Sequence, residues 1–569
     1  PGRFVLAELY DSPAALPEQF DIVYTGVGAL IWLPNIAEWA RVVAKFGIAA
    51  VRRHNTRAWG SSTAPLQMEH RRHEQSSTGQ EQTVGHEVRM NGPEPRPNII
   101  LINTDQQRYD TIRALGFPYM VTPNLDRLVE KGVTFTNCFV GAPACGPNRA
   151  SLFSGYYPHT TGMGKNGDLW QRTWVSLLGE AGYYTANVGK MHLTPFDAKA
   201  GFDYRFNVEN KQRFRQWALH EDEWDRGVMA HGLRKPERED YEKRDDYEQA
   251  LGAFEWELPD HLHSDMFLGD AAVRWIERYQ LDRPFFLEIG FPGPHPPYDP
   301  IDRWREQYEH TDLPLLEVTE AELAAQPDAL KRMHVHNTEV AHDSVFHILR
   351  PTEEQRLRQR RYYMANVSMI DEKIGQIVAA LEKRGFMENA VLFFTSDHGD
   401  TLTDHGSSQK WTMYDIVTRV PTIAWAPGRF TGGRTVEEQY QWMDLGPTVL
   451  ELAGVEVPET FEAISMLPAL NGDPEAGGRE YVFAEHDRED VVGLYSDYQT
   501  MVRGNGWKLV HFLGEENGQL FDLQADPDEV NNLWSNPKHA EKKQELLNVI
   551  LEWRIRSTHT AGQWAAEFR

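Results

Sequence analysis

The sequence predicts an α/β fold in which a large, mostly parallel mixed sheet is flanked by helices and followed by a smaller α+β unit. Three observations predict it. Unbroken apolar runs recur through the middle of the chain and read as strands buried on both faces. Helical patterns carrying a 3–4 spaced apolar stripe alternate with these runs. Past about residue 470 the pattern changes to short segments joined by a tight turn.

Taken in order, residues 1–95 stand apart as an N-terminal extension. Within it, residues 20–26 read as a buried strand. Residues 36–46 read as an amphipathic helix with Ile36, Trp39, Val42, Val43 and Phe46 on one face. This fragment resembles the fourth strand and following helix of class I S-adenosylmethionine-dependent methyltransferases. The glycine-rich loop and acidic ribose ligand of that fold are missing, so a fusion relic, a mis-assigned start or an oligomerisation arm is expected instead. Residues 61–97, rich in Ser, Thr, Gln, Glu, His and Arg, read as a flexible linker.

The main domain is expected over 96–470. It opens with Asn98-Ile99-Ile100-Leu101-Ile102, an apolar run that passes into Asn103-Thr104-Asp105-Gln106. Such a run suggests a central parallel strand with ligands at its carboxyl end, although a buried strand entering an ordinary polar turn reads equally well. Thr122-Pro123 signals a helix start with an N-cap and a proline in the first turn. Further strands are expected at 184–188, 285–291, 390–395 and 420–425, and helices at 269–279, 353–384 and 443–454. In the 353–384 segment Tyr363, Val367, Ile370, Ile374, Ile377 and Leu381 form a core stripe. Two stretches interrupt the alternation: 207–265, dense in charge and aromatics, and 311–349, with His334, His336, His342 and His347. Each is either a solvated insertion or a lid that shapes substrate choice. A C-terminal subdomain over 471–569 is expected to hold a hairpin around Gly504-Asn505-Gly506, a strand at 520–523 and a terminal helix.

Composition bounds the function. A chain of 569 residues implies two or three compact units. Its formal charge of −26 argues against nucleic acid and anionic membrane surfaces as partners. Any positive charge that meets an anionic substrate must therefore be gathered locally. Two cysteines cannot form a disulfide framework. No secretory signal is visible and the most apolar stretch, 23–37, is too short to span a bilayer. A cytoplasmic protein is the expectation, with the periplasm and self-association left open.

Cys145-Gly146-Pro147-Asn148-Arg149 alone would read as a buried thiol packed before a helix. Polar clusters after successive strands change that reading: Asp105-Gln106, Lys190-Met191-His192, His295, then Asp397-His398 with Lys410 shortly after. With C-x-P-x-R between the first two, the chain resembles the formylglycine-dependent type I sulfatases of the alkaline phosphatase superfamily, from about 97 to about 553.

The resemblance implies hydrolysis of a small sulfate monoester to inorganic sulfate and an alcohol. In that family a formylglycine-generating enzyme oxidises the cysteine, here Cys145, and the hydrated aldehyde attacks sulfur through one hydroxyl. The second hydroxyl then loses its proton and sulfate is expelled. By the same resemblance Asp105, Gln106, Asp397, His398 and residue 145 hold one divalent metal ion. Arg149 holds the modified residue, Lys190 and Lys410 clamp sulfate, His192 is a base, and His295, with Lys410, protonates the leaving oxygen. Asn166 lies where related enzymes contact the substrate anion. Gln106 and His398 replace a common Asp and Asn, which moves the metal preference from Ca²⁺ towards Mn²⁺. Asn148 stands where Ser is usual. Two alternatives remain open: a phosphonate monoester or phosphodiester hydrolase on the same fold, and an anion-binding protein whose Cys145 stays a thiol.

Overall fold

A computed structural model describes residues 96–209, 221–489 and 493–566, and residues from Asn91 onward form one compact unit. The strand and helix expected within 1–95, and Trp217, lie outside the described residues.

Nine strands form the main sheet: β1 (Asn98–Asp105), β2 (Val133–Phe139), β3 (Tyr184–Gly189), β4 (Tyr204–Phe206), β5 (Phe285–Pro294), β6 (Ala390–Ser396), β7 (Arg419–Trp425), β8 (Arg434–Val436) and β9 (Tyr440–Gln441). Their order is β4-β3-β5-β1-β6-β7-β2-β8, with β9 also paired to β2. β1 is central because its apolar run fills both faces. Ile99 and Leu101 pack with Phe286, Val391 and Phe393 on one side, while Ile100 and Ile102 pack with Leu287, Leu392, Ile374 and Ile377 on the other. Each such buried side chain contributes about 1.5–3 kcal/mol. β1 pairs in parallel with β5 and β6, and among these strands only β7 runs against the rest. The carboxyl ends of β1, β2, β3, β5 and β6 therefore converge on one edge, where β7 begins.

The stripe on helix Glu353–Lys383 is buried from Tyr363 to Leu381. The Thr122 side chain does not cap helix Pro123–Lys131 as the sequence suggests. Asp371 of the long helix accepts from Asn124 N at 3.2 Å and Leu125 N at 2.7 Å instead, so a tertiary contact takes over the local cap. Several aromatics and histidines of the two interrupting stretches pack inward among the described residues. Trp224, Tyr241, Tyr247 and Trp256 are buried, as are His334, His342 and His347.

A second sheet follows, antiparallel in the order β10 (Tyr481–Glu489), β11 (Leu494–Gly504), β12 (Trp507–Phe512) and β13 (Gln519–Asp522). Gly504 pairs with Trp507, so the β11–β12 hairpin turns on Asn505 and Gly506, both at positive φ as a tight two-residue turn requires. This sheet meets the main one through Ala144, Trp411 and Met413 packed on Ala484, Met501, Val510 and Phe512. Ala144 immediately precedes Cys145. Helix Ala540–Ala566 closes the fold, with Leu546 and Trp553 packed under Phe483 and Leu520. Among the described residues no helix is long and apolar enough to cross a membrane.

Candidate active site

The site is built where those strand ends meet. β1 delivers Asp105 and then turns at Gln106, whose backbone sits at φ 72°. That conformation is uncommon for a side-chain-bearing residue and is held from several directions. Gln106 N donates to Asp397 Oδ1 at 3.0 Å, its carbonyl accepts from Tyr363 OH at 2.8 Å, and its Nε2 donates to Asp400 Oδ2 at 2.6 Å. Its Oε1 accepts from Lys410 Nζ at 3.0 Å.

Cys145 opens helix Cys145–Ser154, with Pro147 in the first turn. Its Sγ lies 3.1 Å from His398 Nε2 and 3.6 Å from Asp105 Oδ1. Gly146 N donates to Asn166 Oδ1 at 2.9 Å, and a Cβ on Gly146 would stand 2.9 Å from that same oxygen. Asn166 thus satisfies one of the helix's first N–H groups beside the nucleophile position. Asn148 is buried: Gly141 N donates to its Oδ1 at 2.9 Å and its amide donates to the Asp397 carbonyl. It ties the cysteine helix to the end of β6.

One turn along, Arg149 is fully buried. Its Nε donates to Asp397 Oδ2 at 2.8 Å, Nη1 to the Lys190 carbonyl at 2.7 Å, and Nη2 lies 3.4 Å from Asp105 Oδ2. Lys190 Nζ meets Asp105 Oδ2 at 2.6 Å. The strand before it ends at Gly189, with φ 120°, where a Cβ would stand 2.1 Å from the Gly290 carbonyl. Only glycine lets β3 and β5 approach so closely there. His192, also at positive φ, has a buried Nδ1 without a hydrogen-bond partner, while its backbone N–H is held by Glu209 at 3.0 Å.

Across the site, His295 Nδ1 faces the Pro296 carbonyl at 2.8 Å and therefore carries the ring proton. Its Nε2 accepts from Lys410 Nζ at 2.8 Å. The segment carrying Lys410 is clamped by the 311–349 stretch. His334 Nε2 meets Ser407 Oγ at 2.7 Å, His347 Nδ1 meets Ser408 Oγ at 2.7 Å, and Gln409 Nε2 donates to the His342 carbonyl at 2.8 Å.

Electrostatics follow from this packing. Burial opposes ionisation of Asp105, but Lys190, with His295, Arg149 and His398, outweighs it and holds the carboxyl well below its usual range. Burial and the Asp105 charge push Asp397 up. Burial and Asp105 also oppose the Cys145 thiolate, yet Lys410, Lys190 and His398 bring the thiol down to about 7. Burial, then Lys190, lowers His192 to about 4, and burial, then Lys410, lowers His295 to about 3. Both imidazoles are neutral at pH 7. Lys410 is held protonated against burial by Cys145, Asp343 and Asp105.

The donor set fits a divalent cation. Asp105, Cys145, Asp397 and His398 offer ligand atoms that lie within 4.8 Å of one another, all buried. His398 Nδ1 is tied to the Gly399 carbonyl at 2.9 Å, which leaves Nε2 as the nitrogen facing the cluster. Two carboxylates and one imidazole beside the Cys145 sulfur are donors that a divalent cation accepts.

Every residue singled out in the sequence thus lies in or beside one cluster, with His192 and Asn166 at its margin. Four neighbours carried no assigned role: Asp343, Asn148, Asp400 and Tyr363. Asp400 could have been found from the motif Ser396-Asp397-His398-Gly399-Asp400 that contains it. Asp343 had no local signal.

A cluster that could hold a cation at the carboxyl edge of this sheet, with a second antiparallel sheet beside it, is the arrangement of the alkaline phosphatase superfamily sulfatases, and comparison with known proteins agrees. The Sulfatase family model matches residues 97–455, and the model described as N-sulphoglucosamine sulphohydrolase, C-terminal, matches 403–556. The chain belongs to the sulfatase family and is a sulfuric ester hydrolase by class. It is 27% identical over 480 residues to an arylsulfatase of Clostridium perfringens, covering 80% of this chain and 94% of that one. It is 29% identical over 458 residues to a choline-sulfatase of Rhizobium meliloti, covering 78% and 83%. Among solved structures it resembles the phosphonate monoester hydrolase of Agrobacterium radiobacter, with TM-score 0.69, 25% identity, and 81% and 96% of the two chains covered.

Proposed function

We propose that this protein hydrolyses a sulfate monoester to inorganic sulfate and an alcohol, using formylglycine formed from Cys145 and one divalent metal ion. The observation that carries the reading is the convergence of Cys145, Asp105, Asp397 and His398 within 4.8 Å, with Lys190 and Lys410 beside them. Asp105, Gln106, Asp397, His398 and residue 145 would hold the metal, Ca²⁺ or Mn²⁺, which when bound supplies a Lewis acid for negative charge. The hydrated aldehyde at 145 supplies an oxygen nucleophile that the thiol lacks.

The geometry supports the remaining roles. Arg149, anchored to Asp397 and the Lys190 carbonyl, holds residue 145 in register with the carboxylates. Lys190 and Lys410 place two ammonium groups near the sulfate oxygens. The Lys410–His295 pair, 2.8 Å apart with the proton on Lys410, donates to the leaving oxygen. Neutral His192, with its unpartnered Nδ1, accepts the proton that must leave residue 145 before sulfate departs. Asn166 fixes Gly146 and contacts the substrate anion from the same side. A formylglycine-generating enzyme is the maturation partner.

The test is a panel of sulfate esters assayed on protein co-expressed with a formylglycine-generating enzyme, with residue 145 checked by peptide mass spectrometry. Turnover should track the aldehyde fraction. Full activity with Cys145 wholly unmodified would overturn the mechanism. The fold match to a phosphonate monoester hydrolase, and 29% identity to a multifunctional alkaline phosphatase superfamily protein of Trinickia caryophylli, support a second reading. In that reading a phosphonate monoester or phosphodiester is the main substrate. Dominant turnover of an aryl phosphonate over the matched aryl sulfate would establish it.

A further inference from the structure

One acidic side chain faces the leaving-group pair and helps hold Lys410 protonated, yet the mechanism above gives it no role toward the substrate. Asp343 Oδ2 lies 3.5 Å from His295 Nε2 and 3.7 Å from Lys410 Nζ. It stands on a turn shaped to present it. His342 and Val345 bond to each other in both directions, at 3.3 and 2.8 Å, and the two residues between them sit at φ 51° and 60°. Two consecutive side-chain-bearing residues in the left-handed region are uncommon away from functional sites. The turn is fixed to the site, because Gln409, next to Lys410, donates to the His342 carbonyl at 2.8 Å.

Asp343 is not needed to orient its neighbours. His295 is already fixed through both ring nitrogens, by the Pro296 carbonyl and by Lys410, each at 2.8 Å. The Lys410 ammonium is fixed by His295 and by Gln106 Oε1. The two contacts of Asp343 are at ion-pair rather than hydrogen-bond range, so its carboxylate keeps acceptor capacity. Its side chain is 36% exposed, whereas His295 and Lys410 are 8% and 2% exposed. An open, charged acceptor thus stands on the side from which the alcohol half departs.

We infer that Asp343 is a specificity residue that receives a hydrogen-bond donor, best a protonated amine, carried on the alcohol within about two carbons of the ester oxygen, and that it disfavours an anionic group there. This inference rests on the sulfatase reading. A bound ammonium would exchange water for a charge-assisted hydrogen bond in a site already narrowed by His295 and Lys410.

The test compares 2-aminoethyl sulfate, ethyl sulfate and 2-carboxyethyl sulfate on the matured, metal-loaded enzyme. The wild type should show kcat/KM in that descending order. Asp343→Asn should lower the aminoethyl-to-ethyl ratio by about 20-fold, the scale of one charge-assisted hydrogen bond. It should also raise the carboxyethyl-to-ethyl ratio. Asp343→Gly, which suits the positive φ, removes the carboxylate without straining the turn and should reproduce both shifts. Ratios that match wild type in both variants overturn the inference, as does a wild type that turns over sulfate esters without preferring the amine. A matured wild type inactive on every sulfate ester, 4-nitrophenyl sulfate included, overturns the underlying reading instead.

Discussion

The two halves of the site hold their charges differently. On the sheet half, Asp105, Arg149, Lys190 and Asp397 are at most 1% exposed, and each meets an opposite charge within 3.4 Å. On the loop half, His295, Lys410 and Asp343 come from connections between strands, and the Asp343 carboxylate stands 3.5 Å from His295 and 3.7 Å from Lys410 while remaining partly open. Buried charges that compensate one another form a frame that cannot shift without exposing an unpaired ion. The Asp343 charge, nearer solvent, can be exchanged at lower cost. The frame suits what every sulfate ester shares, and the loops suit what distinguishes one alcohol from another.

The comparison breaks most visibly at its centre. Cys145→Ala removes the precursor of the proposed nucleophile from an intact frame, and kcat should fall by at least about 1,000-fold with little change in fold. Loss of that size, with the unfolding midpoint in urea near wild type, separates chemistry from structure. Arg149→Met attacks the frame itself. Two buried carboxylates lose their shared guanidinium, and stability should drop by about 3–5 kcal/mol on urea titration. A variant as stable as wild type would mean that Lys190 alone balances Asp105 and Asp397.

On the loop half the order of effects should reverse. His295→Gln should cost under about 1.5 kcal/mol of stability, since the ring's polar partners among the described residues are Lys410, Asp343 and a carbonyl that Gln can also reach. Its kcat on an alkyl sulfate should fall by about 100-fold or more, and much less on 4-nitrophenyl sulfate, whose leaving group needs no proton. Equal losses on both esters would remove His295 from leaving-group protonation.

How each half could be read from the chain follows from the same contrast. The sheet half stands at the ends of strands whose apolar runs are continuous in sequence. Asp105, Lys190 and Asp397 are therefore legible at one sheet edge from the sequence alone. Cys145 and Arg149 share one helix, so their spacing is local. β2 and β10 escaped notice because polar residues break their apolar runs, Thr134, Thr136 and Asn137 in one and Glu485, His486 and Asp487 in the other, which weakens the apolar signal. Asp343 escaped because its meaning depends on a turn closed by His342 and Val345 and on Gln409, 66 residues along the chain from Asp343. The histidines at 334 and 347 read equally as a solvated insertion or a lid, and only folding shows them bonded to Ser407 and Ser408.

Those histidines sharpen the comparison through pH. Burial, then His347 and His405, lowers His334 from 6.5 to about 3. The folded state thus refuses a proton that the unfolded chain accepts. Stability from this residue is complete above about pH 6.5 and is lost as pH falls towards 3, amounting to about 2 kcal/mol by pH 5. His334→Gln should flatten the stability curve between pH 6.5 and 5. If the slope is unchanged, His334 is not buried in its neutral form and the clamp on Ser407 is looser than its 2.7 Å contact indicates.

The smallest effect marks the outer limit of the frame. Asp371 caps helix Pro123–Lys131 from the long helix, through Asn124 N and Leu125 N, on neither half of the site. Asp371→Ala should cost about 1–2 kcal/mol, the value of a lost cap, with kcat/KM unaltered for every ester. Tyr363 lies two helical turns earlier on the same helix and holds both the Gln106 carbonyl and Arg108 N. A change in kcat from Asp371→Ala would therefore mean that the long helix transmits its position to Gln106. In that case the rigid frame extends from the strand ends into the layer beneath them.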